Sequence, residues 1–444
     1  MQLPEQFILR TKDILLSDLQ PFIVAINTAP PVSIRLNDKT TVDLSSDKVP
    51  WCNSGYYLSE RPLFTADPLF HAGAYYVQEA SSMFLQQMLE QLVKKDSTVL
   101  DISAAPGGKS TLISQFLFSQ GLLVSNEIVK SRANILAENM IKWGNDNVLV
   151  SNNSPADFKK IPDFFDVIVV DAPCSGEGMF RKDEGAVSEW SIQNVMMCAA
   201  RQKDILTDVW DSLKTEGILI YSTCTYNREE NEENIQWIEN ELGAEFLPLD
   251  IEKFPEITSY GKGYRFYPYK TKGEGFFIAA LRKTSGIHSA KKHKQNKQIS
   301  KPGAEILSLK NQLQEPEIWE LIQENNIISA VRKTHFERIN ILKKNLRTMH
   351  FGITLAEQKG KDFIPHISLA LSKNIDLKKV QTAEINKTNA IKYLQRESIL
   401  LPDSEKGFVL LTYENVPVGW VKNLGNRSNN LYPGEWRIRM KINP

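Results

Sequence analysis

Val99-Leu100-Asp101-Ile102-Ser103-Ala104-Ala105-Pro106-Gly107-Gly108-Lys109-Ser110 decides the fold. A short apolar run ends near an acid, a turn of small residues follows, and the stretch from Thr111 to Phe118 reads as a helix. Small residues and two glycines let the backbone come close to a ligand at the carboxyl end of a first strand, where open α/β sheets bind. Free amides at the start of the helix suit a carboxylate. The turn has neither the G-x-G-x-x-G form nor the G-x-x-x-x-G-K-S/T form, so neither a dinucleotide nor a nucleoside triphosphate follows from it.

Working outward, short β-branched runs alternate with helical stretches, the pattern of a doubly wound α/β domain. Further strands are expected at Leu122–Asn126, Val148–Ser151, Val167–Asp171 and Gly217–Tyr221, with Phe276–Leu281 as a late sheet partner. Helices are expected at Lys130–Trp143, closed by Gly144, and at Val195–Leu213. Glu127 ends the second strand, twenty residues after Gly107, where an acid accepts hydrogen bonds from ribose hydroxyls. A nucleoside cofactor is implied. Upstream, the run from Gly73 to Ser82 either covers that pocket or simply begins a helix.

The chain has 444 residues, 42% of them hydrophobic and 24% charged, enough for two or three domains and a sizeable core. No apolar run approaches the about 18 residues that cross a bilayer, and Met1 to Arg10 carries no secretory pattern, so the cytoplasm is expected. Four cysteines at wide spacing match neither a disulfide framework nor a zinc site; reduced thiols, no metal and no membrane contact are expected. The zero net charge is uneven: Met1 to Leu281 has 25 Lys and Arg against 38 Asp and Glu, Arg282 to Gly303 seven against none, and the remainder 21 against 15. Basic charge late in the chain suits a phosphate backbone, or merely keeps a linker soluble.

Residues 1–70, with one clear strand at Val32–Leu36, read as a small α+β extension, 71–283 as the main α/β domain, and 284–303 as a basic flexible linker. An intermediate region, 304–384, has helical patterns at Ile318–Ile328 and Phe336–Leu346, and 385–444 has strands at Gly407–Tyr413, Val416–Lys422 and Trp436–Ile442. Trp420 and Trp436 beside Lys422, Arg437 and Arg439 suit either RNA-contacting strands or core tryptophans flanked by solvated charges.

Two cysteines stand at strand ends: Asp171-Ala172-Pro173-Cys174-Ser175-Gly176 closes the fourth, and Ser222-Thr223-Cys224-Thr225-Tyr226 closes the fifth. Neighbouring parallel strands aim such ends at one crevice, so Asp171, Cys174 and Cys224 can meet beside the cofactor. Cys198, on an expected helix, reads as a small buried hydrophobe. A thiol and an acid suit the C5 of cytosine, which becomes nucleophilic only after a thiolate adds to C6. A carboxyl at Asp171 can hydrogen-bond the N3 and N4 edge, and the base must be unstacked to be reached. Arg181 and Lys182 either hold phosphates or are solvated.

The motifs G-A-Y-Y-V-Q-E-A-S-S-M (73–83), D-I-S-A-A-P-G-G-K-S (101–110), D-A-P-C-S-G-E-G-M-F-R-K-D (171–183), Y-S-T-C-T-Y (221–226) and G-E-G-F-F-I-A (273–279) resemble one family closely. It is the RNA cytosine-C5 methyltransferases of the NOL1/NOP2/Sun type, nearest the bacterial RsmF (YebU) kind that act on 16S ribosomal RNA. The resemblance implies a Rossmann-like methyltransferase core using S-adenosylmethionine and a PUA-like RNA-binding region over 385–444. It implies Cys224 as nucleophile, Cys174 as the aid to product release, and a cofactor site lined by Ser103, Ala104, Ala105, Pro106, Gly107, Gly108, Lys109, Glu127 and Asp171. Ser103 stands where the family commonly has Cys, and the third cofactor motif, here Ser151 to Asp157, departs from its usual form; Ser154 is its candidate residue. The expected partner is RNA, 16S ribosomal RNA or the small subunit first and transfer RNA second, met by a monomer. Two rivals are a non-catalytic ribosome-assembly factor, against which intact Cys224, Cys174 and Asp171 argue, and a DNA enzyme attacking through Cys174.

Overall fold

The computed structural model describes residues 3–40, 46–284 and 303–442. The linker expected at 284–303 lies outside them except for its two end residues. At the front, helices Glu5–Leu15 and Leu19–Ile26 precede an antiparallel sheet of β1 (Val32–Leu36), β2 (Gly55–Leu58) and β3 (Tyr75–Val77), with β1 in the middle. Because β3 belongs to this sheet, the front unit runs past residue 70 and into the 73–83 motif.

The central sheet holds five parallel strands where five were expected: β4 (Thr98–Asp101), β5 (Leu122–Asn126), β6 (Val148–Ser151), β7 (Phe165–Asp171) and β8 (Leu213–Thr223). Their order is β8-β7-β4-β5-β6. Near-continuous Val, Leu and Ile suits strands buried on both faces, here by helices such as Gly108–Leu117, Lys130–Trp143 and Ile192–Val209. Short strands β9 (Ala244–Phe246), β10 (Thr258–Ser259) and β11 (Tyr264–Phe266) lead to β12 (Phe276–Lys283), which lies antiparallel beside β8. The chain winds outward both ways from β4, so a crevice opens where the carboxyl ends of β4 and β7 diverge.

Two expectations for the C-terminal part fail. The stretch read as a helix at Ile318–Ile328 is a hairpin of β13 (Trp319–Glu324) and β14 (Ile327–Arg332). Its two-residue turn is Asn325-Asn326, and Asn325 takes φ 54°, a conformation that asparagine tolerates; that turn signal outweighs an ambiguous apolar pattern. The other failure is the strand at Trp436–Ile442. After Pro433-Gly434 that segment is irregular: Ile438 is buried, its N–H bonds Leu394 O at 3.0 Å, and Trp436 lies edge-on to Tyr432.

The intermediate region also does more than connect. β15 (Thr348–Phe351) extends the central sheet by pairing antiparallel with β6, while β16 (Ile353–Lys359) and β17 (Asp362–Pro365) join β13 and β14 in a separate four-stranded sheet. The helix Phe336–Asn345 buries Ile339 and Leu342 in the same core as Leu100 and Leu149. A last four-stranded sheet is built from β18 (Thr382–Glu384), β19 (Gly407–Tyr413), β20 (Val416–Asn423) and β21 (Ser428–Asn430). Trp420 is buried and its indole donates to His366 O at 3.2 Å, so it is a core tryptophan. Among the described residues no helix is long and apolar enough to cross a membrane, and no group of three or more His, Cys, Asp and Glu is placed to hold a metal ion.

Candidate active site

The loop from Ser103 to Gly107 leaves β4 and turns into the helix Gly108–Leu117. Gly107 takes φ +120°, which only glycine adopts without strain. Asp101 is fully buried; one oxygen accepts the Ser110 hydroxyl at 2.7 Å, and the other has no hydrogen-bond partner in the protein. Burial pushes its carboxyl up to about 7. Lys109 folds back so that Nζ lies 2.8 Å from Asp171 Oδ2, and Asp171 Oδ1 accepts the Ser222 hydroxyl at 2.9 Å. Burial disfavours the charge on Lys109, but Asp171 more than offsets it and holds the ammonium above its ordinary range.

A cleft at this point is lined by Ser103, Ala104, Ala105, Pro106, Gly108, Lys109, Asp171 and Asp101 from below, and by Tyr76, Gln78 and Glu79 from the 73–83 motif. That motif does both: it lines the cleft and begins the helical turn Ser81–Phe84, where Glu79 accepts Ser81 N and Ser82 N, and Glu79 also accepts Glu274 N at 2.8 Å, tying it to the 273–279 motif. The donor set fits S-adenosylmethionine, since the unpartnered oxygen of buried Asp101 suits an ammonium and the amides of the turn suit a carboxylate. Gly107, Glu127 and Ser154 do not line the cleft. Glu127, at the end of β5, accepts Val129 N at 2.9 Å and faces Arg132 at 3.4 Å. Ser154 donates its hydroxyl to Asp157 at 2.9 Å in a local turn.

Arg35 of β1 supports the cleft from behind. Fully buried, it donates to Gln78 Oε1 (2.9 Å), Gln115 Oε1 (2.7 Å) and Gly108 O (3.4 Å), and it stacks over Trp143 with 4.5 Å to the ring centre. Burial pushes its pKa down to about 10, so it stays charged at neutral pH. Arg35→Leu leaves those acceptors bare and is expected to destabilise the protein by roughly 2–5 kcal/mol and to weaken S-adenosylmethionine binding. Urea unfolding and calorimetric titration check this. An unchanged midpoint with unchanged affinity would remove the supporting role.

Cys174 and Cys224 meet. Their sulfurs are 2.9 Å apart, well beyond a disulfide bond at about 2.05 Å, and both are free thiols, half-buried. The hydrogen bond to Cys224, then burial, push the Cys174 thiol well up. Either sulfur can donate to the other, and Cys224 N donates to Cys174 Sγ at 3.3 Å. Cys198 is buried on its helix, as expected of a small hydrophobe.

Two buried glutamates that sequence reading missed lock the cysteine loops together. Glu177, from the Cys174 loop, accepts Tyr226 N (2.7 Å), Asn227 N (2.9 Å) and the Thr225 hydroxyl (2.6 Å) beyond Cys224. Glu230, beyond Cys224, accepts Ser175 N at 3.0 Å next to Cys174. Gly178 N adds a bond to Cys224 O at 2.9 Å. The available signal was carboxylates embedded among amides in Asn227-Arg228-Glu229-Glu230-Asn231, which a surface loop does not need. Arg181 is a correction of another kind: it is 6% exposed and forks onto Glu274 at 3.0 and 3.1 Å, so it braces the protein rather than holding phosphate.

A β8-β7-β4-β5-β6 sheet with this cleft at its switch point defines an S-adenosylmethionine-dependent methyltransferase. Residues 87–282 match the family model described as 16S rRNA methyltransferase RsmB/F, 3–80 the N-terminal domain of 16S rRNA methyltransferase RsmF, and 380–438 the methyltransferase RsmF PUA domain. Ribosomal RNA small subunit methyltransferase F of Pectobacterium atrosepticum is 31% identical over 470 aligned residues, covering 97% of this chain and 95% of the relative. That of Photobacterium profundum is 32% identical, covering 98% and 97%. This chain belongs to the RsmF family of ribosomal RNA small subunit methyltransferases. Among solved structures, a methyltransferase homolog from Pyrococcus horikoshii is similar at 28% identity and TM-score 0.55, covering 63% of this chain and 95% of that one. NSun6 from Pyrococcus horikoshii, solved with SFG, shares the fold at 22% identity and TM-score 0.56, covering 64% and 98%.

Proposed function

We infer that this protein methylates C5 of cytosine in 16S ribosomal RNA, with Cys224 as the nucleophile and Cys174 aiding release. The observation that carries it is the 2.9 Å approach of Cys174 and Cys224 at the ends of adjacent parallel strands, beside the Lys109–Asp171 pair. The Cys224 thiolate adds to C6 of the base, and the Lys109–Asp171 pair is the charged group available to stabilise charge that builds on the ring edge. Ser103 to Pro106, Gly108 and Lys109, with Asp101, would hold S-adenosylmethionine, which when bound supplies an electrophilic methyl group. Once C5 is methylated, its proton passes to water, the C5–C6 double bond re-forms, and the C6–S bond breaks with its electron pair returning to Cys224. The Cys174 thiol hydrogen-bonds that departing thiolate. The relatives' names and the PUA match over 380–438 support a ribosomal RNA substrate.

The test is nucleoside analysis after incubation with labelled cofactor and each of three RNAs: small ribosomal subunits, naked 16S ribosomal RNA and transfer RNA. Labelled 5-methylcytidine from either ribosomal substrate is expected. Label confined to transfer RNA would move the substrate, label in another nucleoside would sink the C5 reading, and none at all would favour an assembly role.

A further inference from the structure

Cys174 is gripped on both sides by one side chain. Glu230 is completely buried and accepts Ser175 N directly, at 3.0 Å; it also accepts Gln202 Nε2 at 2.7 Å, and that same nitrogen donates to Pro173 O at 3.0 Å. Asn227 Nδ2 completes the ring of donors at 2.7 Å. Three neutral N–H donors converge on one group, which a carboxylate can satisfy and an amide cannot, because an amide nitrogen brings donors of its own. Each partner is uncharged, so none cancels the charge of Glu230; burial pushes its carboxyl up, and the bonds from Ser175 and Asn227 act against that.

We propose that Glu230 is a positioning residue for the release half of the reaction, fixing Cys174 against Cys224 as a protonated thiol that stabilises the departing Cys224 thiolate. This rests on the cytosine-C5 reading above. The release step itself is unchanged in balance: the C5 proton goes to water, the C6–S electron pair goes to Cys224, and the Cys174 proton stays on or shared from Cys174. What Glu230 adds is the direction of that proton and its retention. The groups facing Cys174 are Cys224, Glu230 and the Tyr221 hydroxyl; Lys109 faces Cys224, and Glu177 and Cys198 face Glu230. The Cys224 sulfur, burial and the nearby Glu230 charge push the Cys174 thiol up and outweigh the Cys224 N–H, which acts the other way.

The sign of the test follows. Removing the negative charge makes the Cys174 thiolate easier to form, so the alkaline fall in turnover moves to lower pH. With the full-length protein, small ribosomal subunits and labelled S-adenosylmethionine, Glu230→Gln is expected to move that alkaline limb down by roughly one pH unit. It should also accumulate a protein–RNA adduct on denaturing gels, with single-turnover methylation nearly kept. Glu230→Asp keeps the charge but shortens the reach, and should accumulate adduct with the limb in place. If Glu230→Gln does not fold, the adduct from Glu230→Asp decides: its presence supports the proposal and its absence overturns it. Wild-type limbs without adduct in both variants, or equal loss of methylation and release, also overturn it. Formation of 5-methylcytidine by Cys224→Ala would instead overturn the underlying nucleophile assignment, so the two failures are distinguishable.

Discussion

Cys224→Ala is expected to abolish both 5-methylcytidine and any covalent protein–RNA species, a loss on the order of 10⁴-fold or more, as for removal of other catalytic nucleophiles. Cys174→Ala is expected to behave differently, transferring methyl groups once and then stalling as an adduct visible on a denaturing gel. The asymmetry comes from position and protonation. The Cys174 thiol is pushed up by Cys224 and by burial, which favours its protonated form. Cys224 directly follows β8, close to Ser222, whose hydroxyl binds the same Asp171 that holds Lys109. On the proposed mechanism, removing Cys174 should leave the attack intact but take away the hydrogen bond to the leaving sulfur. The opposite pattern, with adduct from Cys224→Ala and none from Cys174→Ala, would make Cys174 the nucleophile and return the DNA-enzyme style of attack.

Much of this arrangement was legible because parallel strands leave strong local marks. β5 and β6 fall on the expected residues, β4, β7 and β8 within a few positions, and Gly144 closes the helix Lys130–Trp143 in the left-handed conformation. Both cysteines were visible as polar-loop thiols at strand ends. What the sequence hid was long-range. Nothing local announces that β15, about 200 residues after β6, completes the same sheet, or that Asn153 holds Arg347 through both its backbone N–H and C=O at 3.0 and 3.1 Å. Glu177, Glu230 and Arg35 read as surface charges until their partners are known, because a buried charge is recognised by what converges on it. Arg181 shows the reverse error: a basic residue beside a catalytic motif, yet engaged by Glu274.

Acid should unfold this protein well above the pH at which ordinary carboxylates protonate. Of six histidines, four lie among the described residues, and all four are held low by burial: His71, His335 and His366 to about 4, and His350 to about 3. Two of them use a ring nitrogen as an acceptor where protonation would put a hydrogen: His366 Nδ1 takes Ser368 N at 3.1 Å, and His335 Nδ1 faces the Arg338 guanidinium at 2.8 Å. Their folded pKa values lie below the unfolded value of about 6.5, so the unfolded chain binds more protons as pH falls. Stability is therefore full above about pH 6.5 and is lost progressively toward pH 4, by roughly 2–3 kcal/mol per imidazole at pH 4.5. Asp101, pushed up to about 7 by burial, works the other way, since its burial cost is relieved as pH falls. One carboxyl does not offset four imidazoles. The urea midpoint should therefore rise slightly from pH 8 to 7 as Asp101 takes up its proton and drop steeply between 6 and 4.5. A midpoint that holds constant to pH 4.5 would mean that these imidazoles are not buried neutral in solution. The steepest loss is expected where His350 of β15 meets β6, so hydrogen exchange at low pH should open that edge of the sheet before β4 and β7.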